Sequence, residues 1–193
     1  MSGLFGAGPQ RLLDDATGLI EYRPSVLPEA LAAAWFDALH ADIPWRHQRR
    51  VMYERELDVP RLTVSYRLDD PDLPAPLAEA AALASREFGV PFNSVGLNLY
   101  RDREDSVAPH NDRLEDLVPG HPIVLLSLGA TRRMRIQGKA TRARLELDLE
   151  AGSLLLMDYE SQKHYDHGIP KQRANVGPRI SLAFRMRKAG AEL

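Results

Sequence analysis

Hydrophobic and polar positions change rhythm along this chain, and the change divides it into helical and strand-type stretches. From Leu27 to Ile43 (LPEALAAAWFDALHADI) alanine-rich helix formers predict a helix, with Pro28 where a first helical residue tolerates proline. A second helix is predicted over Ala75–Phe88, with Gly89 placed to end it. Between them, Val51–Arg67 (VMYERELDVPRLTVSYR) reads as strand or hairpin. After Gly89 the period shortens to two. Ser94–Tyr100, Pro122–Leu128, Ala143–Leu149, Gly152–Asp158 and Arg179–Met186 are short strand-type segments. Leu145, Leu147 and Leu149 alternate strictly with Arg144, Glu146 and Asp148, which marks a strand with one buried face. Pro119-Gly120, Gly138, Ala151-Gly152 and Gly177-Pro178 supply turns. A helical first part followed by many short antiparallel strands predicts an α+β, mainly β chain: a double-sheet barrel or sandwich with N-terminal helices packed on one side.

Composition narrows the class. A length of 193 residues suits one domain. We read it as a helical N-terminal part, 1–90, and a barrel core, 91–187. With 25 basic and 27 acidic residues the net charge is -2, which argues against coating nucleic acid by bulk charge. The absence of cysteine excludes disulfides, thiolate zinc, iron–sulfur clusters and cysteine nucleophiles. No basic start leads into a long apolar run, and no apolar stretch reaches membrane-spanning length. The expected setting is the cytoplasm, with no membrane partner.

Six histidines are available, and His110 stands out by position. His110 and Asp112 form an H-x-D pair, and in extended backbone residues two apart point to one side. A third ligand must come from elsewhere, with His164 and His167 as downstream candidates. Two imidazoles and one carboxylate on one face of an iron leave positions open for a chelating co-substrate and oxygen. Taken alone the pair is weak, because a surface histidine beside a solvated aspartate arises by chance. The last strand strengthens it. There Ile180, Leu182 and Phe184 alternate with Arg179, Ser181, Ala183 and Arg185, so two arginines share a face with small residues. Inside a barrel those guanidinium groups need anionic partners, and a dicarboxylate would meet them with forked hydrogen bonds. Asn98 and Tyr100 repeat the pattern against Val95, Leu97 and Leu99.

These residues resemble the AlkB-type Fe(II)/2-oxoglutarate-dependent dioxygenases, which remove alkyl lesions from nucleic acid bases. The resemblance runs from about Val59 to Arg185, through VPRLTVSY, FNSVGLNLYRDREDSVAPHND, PIVLLSLGATRRMRI, LEAGSLLLMDYESQKHYDHGIPK and PRISLAFR in the family's order. It implies a double-stranded β-helix (jelly-roll) fold, with Fe(II) bound by His110, Asp112 and His167. His167 is preferred over His164 because His167-Gly168-Ile169-Pro170 matches the family's setting for its third ligand. The resemblance also implies that Asn98, Tyr100, Arg179, Ser181 and Arg185 hold 2-oxoglutarate. The implied chemistry consumes O2, converts 2-oxoglutarate to succinate and hydroxylates an N-alkyl carbon, whose hemiaminal releases an aldehyde and the repaired base. Alkylated DNA or RNA is the implied partner, and a monomer the default. The substrate side would fall to Tyr66, Arg113, Leu114 and Arg133.

The departures concern that side. Repair members commonly carry an acidic residue two positions after the metal aspartate; here Leu114 stands there, with Glu115 next to it. Tyr66 is followed by RLDDPDLPAPL, which lacks the family's aromatic lid segment and looks shortened. Loss of stacking aromatics would weaken single-strand binding. Ser181 replaces an asparagine frequent in the family. Two basic clusters, Arg46/His47/Arg49/Arg50 and Arg132/Arg133/Arg135/Lys139, are candidates for phosphate contact, the second more than the first. Trp45 and Tyr53 are candidates for base stacking or equally for core or surface packing, His40 a structural histidine and His121 an exposed one. A hydroxylase or demethylase of another substrate, such as a protein side chain or small molecule, is the competing expectation.

Overall fold

The alternation at Ile180, Leu182 and Phe184 becomes the two faces of a central strand. In the computed structural model, which describes residues 8–52 and 55–193, the elements run β1 (Gln10–Asp15), β2 (Gly18–Arg23), α1 (Glu29–Asp42), β3 (Arg46–Met52), β4 (Arg55–Arg67), α2 (Ala75–Phe88), β5 (Ser94–Tyr100), β6 (Val107–His110), β7 (Ile123–Gly129), β8 (Arg132–Gly138), β9 (Arg144–Leu149), β10 (Leu154–Met157), α3 (Ser161–His164), β11 (Tyr165–Ile169) and β12 (Arg179–Arg185). A 3-10 turn occupies Leu114–Asp116. The chain is mainly β. Eight strands form one sheet in the order β1-β2-β10-β7-β12-β5-β4-β3, and four form a second in the order β6-β11-β8-β9. All the pairings are antiparallel.

Period-two alternation sorts the side chains into two cores. On one face of the large sheet, Val95, Leu97, Leu99, Val124, Leu126, Leu128, Ile180, Leu182 and Phe184 pack under Ala32, Trp35 and Leu39 of α1 and Leu77, Ala80 and Ala84 of α2. On the other face, Tyr22, Tyr100, Leu125, Met157 and Ala183 meet Met134, Ile136, Leu149 and Ile169 of the small sheet. Each fully buried Leu or Phe removes enough apolar surface to contribute roughly 1.5–3 kcal/mol. The helices therefore cover one side of the large sheet, and the small sheet covers the other.

The second helix has the predicted bounds, and Gly89 ends it at φ 67°, donating its N–H to the Ser85 carbonyl at 2.8 Å. The first helix starts two residues later than predicted. Pro28 is its cap, and its carbonyl receives the first helical N–H groups. Strands β1, β2, β6, β8 and β11 have no counterpart in the hydrophobic pattern, and β3 begins five residues before the predicted Val51–Arg67 segment. The first two are a hairpin that joins the large sheet beside β10, so strands precede the first helix. Because β1–β4 lie in the same sheet as β5, β7, β10 and β12, segments 1–90 and 91–187 share one sheet. No helix among the described residues is long and apolar enough to cross a membrane.

Candidate active site

His110 closes β6, and Asp112 follows in the loop before the 3-10 turn. Strand β11 pairs antiparallel with β6 so that His167 lies directly opposite His110. The two imidazole centroids are 4.6 Å apart. A ligand atom of each of His110, Asp112 and His167 lies within 4.8 Å of the other two. Gly168 allows this approach, because a Cβ there would sit 2.8 Å from the Val107 carbonyl oxygen and 3.0 Å from the Pro109 nitrogen. His164 is exposed on α3 and lies outside the cluster.

The electrostatics prepare these groups as ligands. His110 Nδ1 is 2.9 Å from the Ala108 carbonyl, which can only accept, so Nδ1 donates there and Nε2 is the nitrogen left for a metal. Burial, with the neighbouring His110, pushes His167 down to about 3, so its ring is neutral at neutral pH. Burial alone would raise the Asp112 carboxyl. The Arg185 guanidinium, by charge and by hydrogen bonds, outweighs it and holds Asp112 at about 2. Arg185 Nε and Nη2 grip the two Asp112 oxygens in a fork, Nη2 at 3.1 Å from Oδ1.

Strand β12 turns Arg179, Ser181, Ala183 and Arg185 toward the small sheet, and its neighbours place Tyr100 opposite Arg179 and Asn98 and Ser127 opposite Ser181. Arg179 is 1% exposed. Its Nη2 donates to Ser127 Oγ at 2.8 Å, while its Nε and Nη1 are buried without a hydrogen-bond partner. Burial pushes this guanidinium down to about 10 against the pull of the Tyr100 hydroxyl, which lies within hydrogen-bond reach, and the nearby Arg132 adds to the lowering. A buried, under-partnered cation asks for an anion. Burial raises the Tyr100 phenol, against the pull of Arg179, Arg61 and Arg132.

A family model, the 2OG-Fe(II) oxygenase superfamily, matches residues 66–185. The chain belongs to this superfamily. Among curated proteins it is similar to human "DNA oxidative demethylase ALKBH2", 34% identical over 105 residues, 50% of this chain and 40% of that one. It is also similar to bovine "Alpha-ketoglutarate-dependent dioxygenase alkB homolog 3", 30% identical over 170 residues, 78% of this chain and 59% of that one. An Arabidopsis protein named "DNA oxidative demethylase ALKBH2" is 27% identical over 207 residues, 86% of this chain and 65% of the relative. The chain thus spans between two fifths and two thirds of the length of these relatives. The AlkB-type resemblance read from the motifs agrees with all three.

The groups that define the superfamily fit the residues present. Two imidazoles and a carboxylate suit Fe(II), and the unsatisfied Arg179 nitrogens suit a carboxylate of 2-oxoglutarate. The substrate-side expectations fare differently. Tyr66 packs with the helix-side core, on the opposite face of the large sheet from His167, because it pairs with Val95 of that core. Arg133 points outward from β8, and its Nε and Nη2 bind the Asp148 carboxylate at 2.8 and 2.9 Å. Leu114 packs against the core between the sheets, and Arg113 is exposed.

The second basic cluster needs further correction. Arg132 is 0% exposed and donates to the carbonyls of Asp102, Asp105 and Pro170 at 2.9, 2.7 and 3.1 Å. It tethers the approach to β6 and the exit from β11, and its guanidinium carbon lies 5.4 Å from the Tyr100 ring centroid. Arg135 pairs with Glu146, and Lys139 donates to the Gln162 carbonyl at 2.7 Å. Arg61 Nε donates to Asn98 Oδ1 at 2.8 Å. Arg132, a candidate phosphate contact by sequence, lies instead in phase with Met134 and Ile136 on the inward face of β8, and Arg61 is not marked by any sequence pattern. Trp45 packs against the helix-side core, His40 stacks on Phe36, and His121 is half-buried rather than exposed. Tyr53 and the side chains of Arg49 and Arg50 lie outside the described part of the structure.

Proposed function

We propose that this chain is an Fe(II)- and 2-oxoglutarate-dependent dioxygenase that oxidatively dealkylates, principally demethylates, alkylated bases in DNA or RNA. One observation carries it: Arg185, on the same face of β12 as the under-partnered Arg179, grips Asp112 of the His110–Asp112–His167 cluster. In this reading His110, Asp112 and His167 hold the metal. Arg179 binds one carboxylate of 2-oxoglutarate, with Asn98, Tyr100 and Ser181 beside it and Arg185 orienting Asp112 and the co-substrate's metal-side end. When bound, iron and 2-oxoglutarate supply the oxidation: O2 is consumed, 2-oxoglutarate becomes succinate and CO2, and the hydroxylated N-alkyl carbon leaves as an aldehyde. The residues of this chain orient the reactants and exclude water. The names of the mammalian and plant relatives support the substrate class. We further read residues 1–193 as one jelly-roll domain, monomeric and cytoplasmic.

A second reading is favoured by the substrate side. Leu114 is apolar and packed inward, Tyr66 faces the helices, and Arg133 is tied to Asp148. A hydroxylase or demethylase of a protein side chain or small molecule would need none of the three at a nucleotide. Succinate release measured with methylated and unmethylated oligonucleotide separates the readings. Stimulation only by the methylated strand is expected, and equal turnover with both would remove base demethylation.

A further inference from the structure

The loop that carries Asp112 is held by a side chain from another part of the chain. Strand β6 ends at His110 and the 3-10 turn begins at Leu114, so residues 111–113 lie outside any ladder. The Asp112 N–H is instead accepted by Gln162 Oε1 at 3.2 Å, and Asn111 Nδ2 donates to the Asp112 carbonyl at 2.8 Å. Gln162 is 1% exposed, an unusual place for an amide unless a specific partner retains it.

Its own platform is fixed without help from that loop. Asp158 Oδ1 accepts the Ser161 N–H at 2.7 Å, and Ser161 Oγ donates to the Asp158 carbonyl at 2.8 Å. At the other end of α3, Lys139 Nζ donates to the Gln162 carbonyl, and the Lys139 N–H donates to the His164 carbonyl at 2.8 Å. A short, doubly anchored turn thus presents one buried acceptor to the peptide that precedes the Asp112 side chain. Rotation of that peptide would swing the carboxylate away from His110 and His167.

We infer that Gln162 is a positioning residue that sets the Asp112 carboxylate against the two imidazoles and thereby tunes metal affinity. The inference rests on the metal reading of His110, Asp112 and His167. Hydrogen-bond partners behind metal ligands typically change affinity roughly ten- to a hundredfold when removed.

The test uses the full chain and Mn(II), counted by electron paramagnetic resonance of the free ion. Gln162→Met keeps the length and loses the acceptor; it should weaken Mn(II) binding by about tenfold or more. Gln162→Glu keeps an acceptor and should restore binding to at least the wild-type level. Leu182→Ala, in the helix-side core, should lower the melting midpoint yet leave Mn(II) affinity unchanged, which separates positioning from general destabilisation. Wild-type affinity in Gln162→Met would overturn the inference while leaving the metal reading intact, provided His167→Ala abolishes binding. No Mn(II) binding by the wild-type chain would overturn both.

Discussion

His167 is enclosed and neutral, with its proton affinity pushed down to about 3 by burial and by His110. That value has a consequence for the metal-free protein. Below its ordinary value of 6.5 the unfolded chain takes up a proton on this ring and the folded chain does not. Stability therefore falls as pH drops from 6.5 toward 3. Asp112 acts in a lower window: its depressed carboxyl contributes stability that is present above 3.8 and is lost toward 2. Urea midpoints of metal-free protein between about pH 7.5 and pH 4.5 should slope downward, and His167→Gln should flatten the slope. An equally steep slope in His167→Gln would assign it to another group. Metal binding should vanish in His167→Ala and survive in His164→Ala, as calorimetric titration would show; the reverse would exchange their roles. Arg179→Met should raise the 2-oxoglutarate requirement at least about tenfold while leaving the protein without co-substrate as stable or more so, since an unpaired buried cation is removed. A large loss of stability would mean that Arg179 is structural. At this scale the H-x-D pair and the alternation of β12 were legible because spacing alone places those residues. Arg132 and Gln162 were not: one stood in a row of basic residues, and the other has no local pattern, since its partner lies 50 positions earlier.

Among elements, the pairing of β6 with β11 matters most, since it sets His110 opposite His167. At Gly168 a Cβ would press on the β6 backbone, 2.8 Å from the Val107 carbonyl oxygen. Gly168→Ala should push β6 outward and lower Mn(II) affinity by about tenfold, the scale of lost second-layer support, with little change elsewhere in the fold. Unchanged affinity would mean that the strands separate without moving the imidazoles. Leu182→Ala, at the centre of the helix-side core, should cost about 3 kcal/mol in denaturant unfolding. The second helix and the strongest strands were readable from the sequence because their apolar periods are long and their caps local. Strand β6 was not, having four residues and Pro109, which suits an edge strand. In β8 the outward residues are charged, so RRMRIQ looked like a basic cluster until the pairing with Glu146 and Asp148 of β9 gave those charges partners. The hairpin of β1 and β2 was obscured by the polar ends of β1, and its place beside β10 depends on contacts more than a hundred residues apart.

The whole molecule carries a net charge of -2, and its outward arginines on β8 are already paired. Oligonucleotide binding should therefore depend weakly on salt, with a slope of log affinity against log salt smaller in magnitude than about 3. A slope steeper than about 6 would reveal an extensive phosphate-binding surface. The layered plan explains why chemistry collects where it does: helices seal one face of the large sheet, so polar side chains of β5 and β12 can gather only beneath the small sheet. The most direct measurement is mass spectrometry of an oligonucleotide containing 1-methyladenine or 3-methylcytosine, after Fe(II) and 2-oxoglutarate are loaded without oxygen and air is then admitted. Loss of the methyl mass, matched by succinate and absent in His167→Ala, is the predicted result. Bound iron and co-substrate with the methyl group retained on both bases would contradict base demethylation.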